Sequence, residues 1–238
     1  ATKTKTTWNL SMPKLENQIE NILKYFKKFK SSNSKELEKK SDVEFLERIK
    51  NSGIIQDTYI SEKPLQKISI IRNYINKIED SKIQNLFLLS YASILVPSSN
   101  IRFGPNFGLI KPKIDVDVFS LFIKKIDRMI DDIKYLKTLK PIGKTVVKEG
   151  DSRNISTLNN NQKFDHVITS PPYPGDHDYS RHTRLELSFL DFAKDKFDVR
   201  AVKKRMIGCS TRNVYAGDNL TEQIIKFKEI KIIMDKIE

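Results

Sequence analysis

The sequence predicts an α/β protein in which a largely helical region precedes part of a parallel β-sheet with flanking helices. From residue 14 to about residue 140, apolar side chains recur at helical spacing. After Pro141, two short apolar runs are separated by a stretch long enough for one brief crossover, which is typical of neighbouring parallel strands. We therefore place a boundary near residue 140, with a mostly helical region over 1–140 and a sheet-containing region over 141–238.

Two segments of the first region have the pattern of amphipathic packing helices. LENQIENILKYFKKFK places four apolar residues on one face, namely Ile19, Ile22, Leu23 and Phe26. VDVFSLFIKKIDRMIDDIKYL repeats the pattern with Phe119, Phe122, Ile126, Ile130 and Ile133. Between them, SSNSKELEKKSD is predicted to be a polar connector and VPSSNIRFGPNFGLIKPK a loop. This region could contact DNA, cover the sheet or form a subunit interface.

The second region contains the two predicted strands. KTVVKEGDS indicates a short buried strand that ends in an acidic turn, and FDHVITSPPY indicates the next one. Ligands of open parallel sheets bind beyond the carboxyl ends of the strands, so Asp151 and Ser170 are expected to face the same crevice. Downstream, RHTRLELSFLDFA has the pattern of an amphipathic helix, and VRAVKKRM that of a basic helix ending near Gly208.

The composition indicates which kind of partner the chain binds and which cellular compartment suits it. The chain of 238 residues carries 43 Lys and Arg against 30 Asp and Glu, a net charge of +13, which favours a polyanion such as nucleic acid over a merely solvated lysine-rich surface. Cys209 is the only cysteine, so no intrachain disulfide can form, and a reducing cytoplasm fits best. No run approaches the ~18 apolar residues of a membrane span.

The tetrad Ser170-Pro171-Pro172-Tyr173 has the chemistry of a pocket for a planar amine. The amino group of a base is a poor nucleophile, and a site that activates it must supply hydrogen-bond acceptors to both N–H bonds. The Ser170 hydroxyl is one candidate acceptor, and the carbonyl of Pro171 is the other, since the two prolines restrict the backbone. Tyr173 offers a ring on which an extruded base could stack.

These residues resemble a family. VVKEGDS followed by DHVITSPPY is similar to the third and fourth motifs of the DNA amino-methyltransferases, and DYSRHTRLELSFL and RMIGCSTRNVY are similar to segments that follow the tetrad in one branch of that family. The resemblance covers about residues 145 to 215. It implies a Rossmann-like methyltransferase sheet, S-adenosylmethionine as methyl donor and the tetrad as the catalytic residues. By the same resemblance, Asp151 contacts the adenine of the donor.

The first residue of the tetrad bears on the target base. A serine there resembles the N4-cytosine enzymes, whereas an aspartate is the usual form in N6-adenine enzymes. We therefore expect double-stranded DNA as substrate, with cytosine N4 favoured and adenine N6 as the alternative. A place in a restriction-modification system follows from the same resemblance.

One family motif is missing. A glycine-rich Phe-x-Gly-x-Gly turn should follow the first strand, but the chain has none, and FGPNFG at 103–108 has the wrong context and spacing. The opening ATKTKT resembles residues that follow the second strand of these enzymes, and FKEIKIIMDKIE stops in a helical pattern before later strands could form. The chain thus resembles the middle of such an enzyme. The glycine-rich motif is either absent or supplied by a second polypeptide.

Basic residues near the tetrad are candidates for phosphate contact. They fall in two groups, at the start of the amphipathic helix and in the densest basic run: Arg181 and Arg184, then Arg200, Lys203, Lys204 and Arg205. The alternative for each is a solvated helix face. Asp178 and Tyr179 could shape the pocket or cap the following helix.

Two rival functions stay open at this point. The run GDHDYSRH at 175–182 could serve a metal-dependent nuclease through Asp176, His177, Asp178 and His182, although its spacing matches no ligand pattern that chemistry justifies. We therefore predict no metal site. The other rival is a DNA-binding or scaffolding subunit that kept the fold without the donor site, and the missing glycine-rich turn favours it.

Overall fold

The computed structural model describes residues 1–29, 32–102, 108–139, 143–150, 163–170, 178–206 and 225–236. Helices account for most of this part of the chain. They are α1 (Thr2–Lys5), α2 (Met12–Lys27), α3 (Ser34–Lys40), α4 (Val43–Asn51), α5 (Glu62–Ile75), α6 (Ser81–Ser98), α7 (Val118–Thr138), α8 (Tyr179–His182), α9 (Arg184–Phe189), α10 (Lys196–Arg205) and α11 (Lys228–Met234), with a 3₁₀ turn at Asp57–Tyr59. None of them is both long and apolar enough to cross a bilayer.

The centre of the molecule is formed by α5, α6 and α7, which pack on one another. Phe122 of α7 is fully buried, and its ring lies 6.0 Å from that of Phe87 and 6.1 Å from that of Phe26. The predicted apolar face of α7 is confirmed, because all five of its residues are buried. On α2, Ile22 and Phe26 are buried as predicted. Leu23 is 40% exposed.

Two segments predicted to be irregular contain regular structure. Within SSNSKELEKKSD, the helix α3 begins with a capping box in which the Asn33 side chain accepts from the Glu36 N–H and the Glu36 carboxylate accepts from the Asn33 N–H. The predicted loop after α6 carries two short antiparallel strands, β1 (Ile101–Arg102) and β2 (Gly108–Leu109). Asn100 holds this hairpin, since its side chain donates to the Thr58 carbonyl and accepts from the Lys113 N–H.

The C-terminal helices share the core of the N-terminal ones. Leu185 and Phe189 of α9 are buried, and α9 packs on α6. The Phe189 ring meets that of Phe45 edge-on at 5.6 Å. Val199 of α10 joins the same cluster. Helices on both sides of the boundary drawn near residue 140 therefore bury one common set of side chains.

The two segments predicted to be buried strands are irregular and exposed in the structure. Residues 143–150 and 163–170 carry no strand, and Val146, Phe164 and Ile168 are among the exposed apolar residues. A strand needs a hydrogen-bonded neighbour and an apolar layer to cover its face. The described residues hold only the β1–β2 hairpin as sheet. The partial Rossmann-like sheet thus stays a prediction.

Candidate functional site

Ser170 belongs to an exposed segment without regular secondary structure. It lies outside any helix, and its side chain is open to solvent, as are those of Val167 and Ile168 before it. The other tetrad residues and the acidic turn fall outside the described residues, namely Pro171, Pro172, Tyr173 and Asp151. Their roles stay predictions.

Asp178 follows Ser170 by eight residues and begins helix α8. Only 4% of its surface is exposed, and its carboxylate accepts from the Arg181 N–H at 3.1 Å and from the Ser180 hydroxyl at 2.5 Å. Its carbonyl lies 3.1 Å from Nδ1 of His182. Of the two alternatives for Asp178, helix capping is therefore confirmed.

The buried carboxylate of Asp178 also forms an ion pair with α10. Oδ2 of Asp178 lies 2.6 Å from Nζ of Lys203, whose side chain is only 20% exposed. Helix α10 begins at its own cap, where Asp195 accepts from the N–H groups of Phe197 and Asp198. This ion pair thus joins the start of α8 to the last turn of α10.

The other predicted phosphate ligands occupy different surroundings. Arg181, Arg200, Lys204 and Arg205 are exposed, which is compatible with contact to a polyanion. Arg184 is half-buried, and its Nη1 lies 3.5 Å from the hydroxyl of Tyr59. DNA contact by these residues stays a prediction.

A charged cluster that the sequence did not predict fixes the end of α9. Asp191 has a φ of 62° and accepts from Arg48 at 2.6 Å on one oxygen and from Arg72 on the other. Both guanidinium groups lie over the Phe45 ring, at 5.3 and 4.4 Å from its centroid. Arg72 also faces Asp42 at 3.5 Å. No sequence signal predicts this cluster, because Arg48 and Asp191 are 143 residues apart.

Helix α9 carries three buried polar atoms without hydrogen-bond partners. They are Nε of Arg184, Oε2 of Glu186 and Oγ of Ser188. Burial raises the pKa of Glu186, because removal from water disfavours the charged carboxylate. Polar groups in protein interiors are normally satisfied. Four further atoms of the described residues share this condition: Nη1 of Arg48, Oε1 of Gln66, the Tyr91 hydroxyl and Oγ of Ser98.

An open cleft of about 560 Å³ lies between the start of the chain and the segment that leads to Asp151. Its lining residues come from three parts of the chain and include Trp8, which is half-buried. The lining residues are Thr6, Thr7, Trp8, Asn9, Leu136, Lys137, Leu139, Gly143, Lys144 and Thr145.

The residues of the nuclease alternative lie partly inside and partly outside the described part of the chain. No group of three or more His, Cys, Asp and Glu side chains is placed there to hold an ion. Asp178, one of the four residues of the nuclease alternative, is committed to its helix cap and to Lys203. Asp176 and His177 lie outside the described residues.

Comparison with known proteins gives two curated relatives. The chain is 24% identical over 181 residues to the type II methyltransferase M.MvaI of Kocuria varians, a match that covers 69% of this chain and 39% of that protein. It is 34% identical over 68 residues to the type II methyltransferase M.BsoBI of Geobacillus stearothermophilus, covering 29% of this chain and 13% of that protein. No family model and no solved structure matches. The chain is therefore similar to type II methyltransferases, and it spans about two-fifths of the length of M.MvaI and about one-eighth of that of M.BsoBI.

Proposed function

We propose that the chain is the tetrad-bearing part of a DNA methyltransferase that transfers a methyl group from S-adenosylmethionine to the amino group of an extruded base. Cytosine N4 is the favoured target and adenine N6 the alternative. The observation that carries the proposal is the similarity to two type II methyltransferases of a chain that also contains Ser-Pro-Pro-Tyr after an apolar run. Work within a restriction-modification system is part of the proposal.

The exposed position of Ser170 supports a role in binding the base. Its side chain is exposed, so the hydroxyl could accept a hydrogen bond from the amino group without a prior conformational change that exposes it. The Pro171 carbonyl would accept the second N–H bond, and Tyr173 would stack on the ring, a contact worth about 1–3 kcal/mol. Together these groups would reduce the conjugation of the nitrogen lone pair with the base and direct it toward the methyl group of the donor.

The cleft beside Trp8 fits the nucleoside end of the donor. S-adenosylmethionine, when bound, supplies an electrophilic methyl group on a sulfonium centre. The Trp8 ring would stack on the adenine, and the Asn9 amide and nearby hydroxyls would bind its polar edges. Residues 143–145 of the cleft precede Asp151 in sequence by six to eight positions, and by resemblance Asp151 contacts the same adenine.

The predicted sheet requires strands beyond the two in this chain. The exposure of Val146 and Ile168 supports that requirement, since apolar strand residues gain stability only when a neighbour and a covering layer are present. We propose that another part of the enzyme, in the same or a second polypeptide, supplies these strands and the glycine-rich turn. Basic residues of α8 to α10 would bind DNA phosphates.

Substitution of the tetrad tests the proposal. In the complete enzyme, Ser170→Ala and Tyr173→Ala should each lower methyl transfer by at least about a hundredfold, because each removes a contact made to the reacting base. Transfer of labelled methyl groups to DNA gives the rate, and mass spectrometry of the digested DNA identifies the base. Matched controls are Ser81→Ala and the 65% exposed Tyr135→Ala, which should change neither rate nor fold.

Three results would change the assignment. Wild-type rates in either tetrad variant would remove the catalytic role of that residue, and N6-methyladenine as product would replace cytosine as the target. The scaffolding alternative predicts that the complete enzyme neither binds S-adenosylmethionine nor transfers methyl groups. Calorimetric titration with the donor separates that alternative from catalysis.

A further inference from the structure

We propose that Lys203 is a positioning residue and not a phosphate ligand, and that its ion pair with Asp178 holds the basic helix α10 in fixed register with helix α8, which follows the tetrad in sequence. The inference rests on the proposed function and deepens it. It assigns separate tasks to two adjacent lysines, Lys203 and Lys204, that the sequence places in one basic run.

The first argument is the direction of the charges on α10. Arg200, Lys204 and Arg205 are exposed, whereas the Lys203 side chain is 20% exposed and its ammonium lies 2.6 Å from Asp178. If the ammonium moved to a phosphate, it would break its ion pair with the carboxylate of a buried residue. Loss of an ion-pair partner inside a protein is unfavourable, so Lys203 should stay in place when DNA binds.

The second argument is what Asp178 does besides pairing with Lys203. The same carboxylate caps α8 and accepts from the Ser180 hydroxyl, so its position is fixed by three donors. Asp178 lies eight residues after Ser170 and immediately before helix α8. A helix α10 bound to DNA through its exposed face would therefore be tied to the start of α8 by a short, charge-assisted contact.

The consequence is a separation of binding from turnover. Loss of an exposed phosphate ligand lowers affinity for DNA and the dependence of affinity on salt. Loss of a positioning contact leaves those properties unchanged and lowers kcat, since small misplacements of reacting groups are costly. Substitution of Lys203 should thus lower kcat, whereas substitution of Lys204 should lower the affinity for DNA and its dependence on salt.

The experiment compares substitutions of both lysines in the complete enzyme. Lys203→Met should lower kcat by about tenfold or more while the Kd for DNA changes less than about twofold. Lys203→Arg, which can keep the ion pair, should restore kcat. Lys204→Met should weaken DNA binding and reduce the slope of log K against log salt by about one. Lys82→Met, on an exposed position of α6, is the matched control and should change neither.

A double substitution keeps the inference falsifiable if Lys203→Met destabilises the fold. Asp178→Asn retains a good capping residue. Asp178→Asn/Lys203→Met removes both buried charges together. Its kcat should equal that of Lys203→Met, since each substitution breaks the same contact. Independent, multiplying losses would overturn the inference.

The remaining outcomes are also decisive. A lower salt slope in Lys203→Met would make Lys203 a phosphate ligand and overturn the inference, and so would unchanged DNA binding in Lys204→Met. Absence of methyl transfer by the wild-type complete enzyme would defeat the proposed function. In that case the salt slopes alone still decide whether Lys203 or Lys204 contacts phosphate.

Discussion

The helical core and the two apolar segments before the tetrad contain similar apolar residues, but these are buried in the core and exposed in the segments. Phe122 of α7 has no exposed surface, whereas Ile168 is 97% exposed. An α-helix satisfies its backbone internally and needs only one apolar face covered, which α5, α6 and α7 provide for one another. A strand depends on neighbours for its backbone hydrogen bonds as well. Burial in this chain therefore follows the availability of partners and not apolar character alone.

The largest expected effect on stability comes from truncating a residue of the helical core, and the same truncation in an exposed apolar segment gives the comparison. Phe122→Ala should lower the free energy of unfolding by about 3–5 kcal/mol, because it leaves a cavity between the Phe26 and Phe87 rings. Ile168→Ala should change it by less than about 0.5 kcal/mol. Urea denaturation of the chain followed by circular dichroism measures both.

These two values also test where the sheet forms. If Ile168→Ala is as costly in the complete enzyme as a core truncation, while remaining neutral in this chain, the predicted strand becomes buried only with its neighbours. A large loss in this chain by itself would show that residue 168 is already packed.

An intermediate effect is expected at the junction between the helical core and α9. Asp191→Asn should destabilise the fold by about 1–2 kcal/mol, since two arginines lose their carboxylate, and the 42% exposure of its side chain limits the loss. Asparagine tolerates the positive φ of this position, so the substitution isolates the charge. The matched control is Asp115→Asn. Its carboxylate pairs with Lys63 and Lys67, and both ammonium groups can turn to water when the charge is removed, so the expected loss of stability is about 0–1 kcal/mol.

The smallest effect concerns Glu186, a half-buried residue of α9 whose Oε2 is buried without a hydrogen-bond partner. Burial raises its pKa in the folded protein above the ordinary value of 4.5, so the folded state binds more protons than the unfolded state between those two values. Its contribution to stability is therefore most favourable below pH 4.5 and is lost as pH rises through the raised pKa.

Glu186→Gln removes this pH dependence. The variant should be at least as stable as the wild type at pH 7, and its advantage should shrink as the pH falls toward 4.5. Unfolding curves of both proteins across this range give the difference. A growing advantage at low pH would mean that the Glu186 carboxylate is stabilised by a partner and not penalised by burial.

Helical periodicity predicted the parts of the fold that depend on local pattern. The buried face of α7 and most of that of α2 follow from apolar spacing, and the basic helix predicted from VRAVKKRM is α10. The helix α3 was missed, although Asn33 and Glu36 stand at capping-box spacing and would have revealed it. RHTRLELSFLDFA was predicted as one helix, and the structure divides its start between α8 and α9 at Thr183.

Contacts between distant residues were not predictable from the sequence. The capping role of Asp178 was one of two stated alternatives, but its pairing with Lys203 joins two helices whose packing no periodicity reveals. The cluster of Arg48, Arg72 and Asp191 likewise depends on tertiary packing. The tetrad itself was identified by chemistry and resemblance, and its geometry stays a prediction.

The long span of the Arg48–Asp191 contact has a consequence for synthesis of the protein. The partners are 143 residues apart, so the contact cannot form until residue 191 has left the ribosome, roughly 7–30 s after residue 48 at usual rates of translation. During that time Phe45 lacks the Phe189 ring that covers it, and the two arginines lack their carboxylate. The nascent helical region therefore exposes an apolar and cationic surface around Phe45, which is covered only after the last third of the chain has been synthesised.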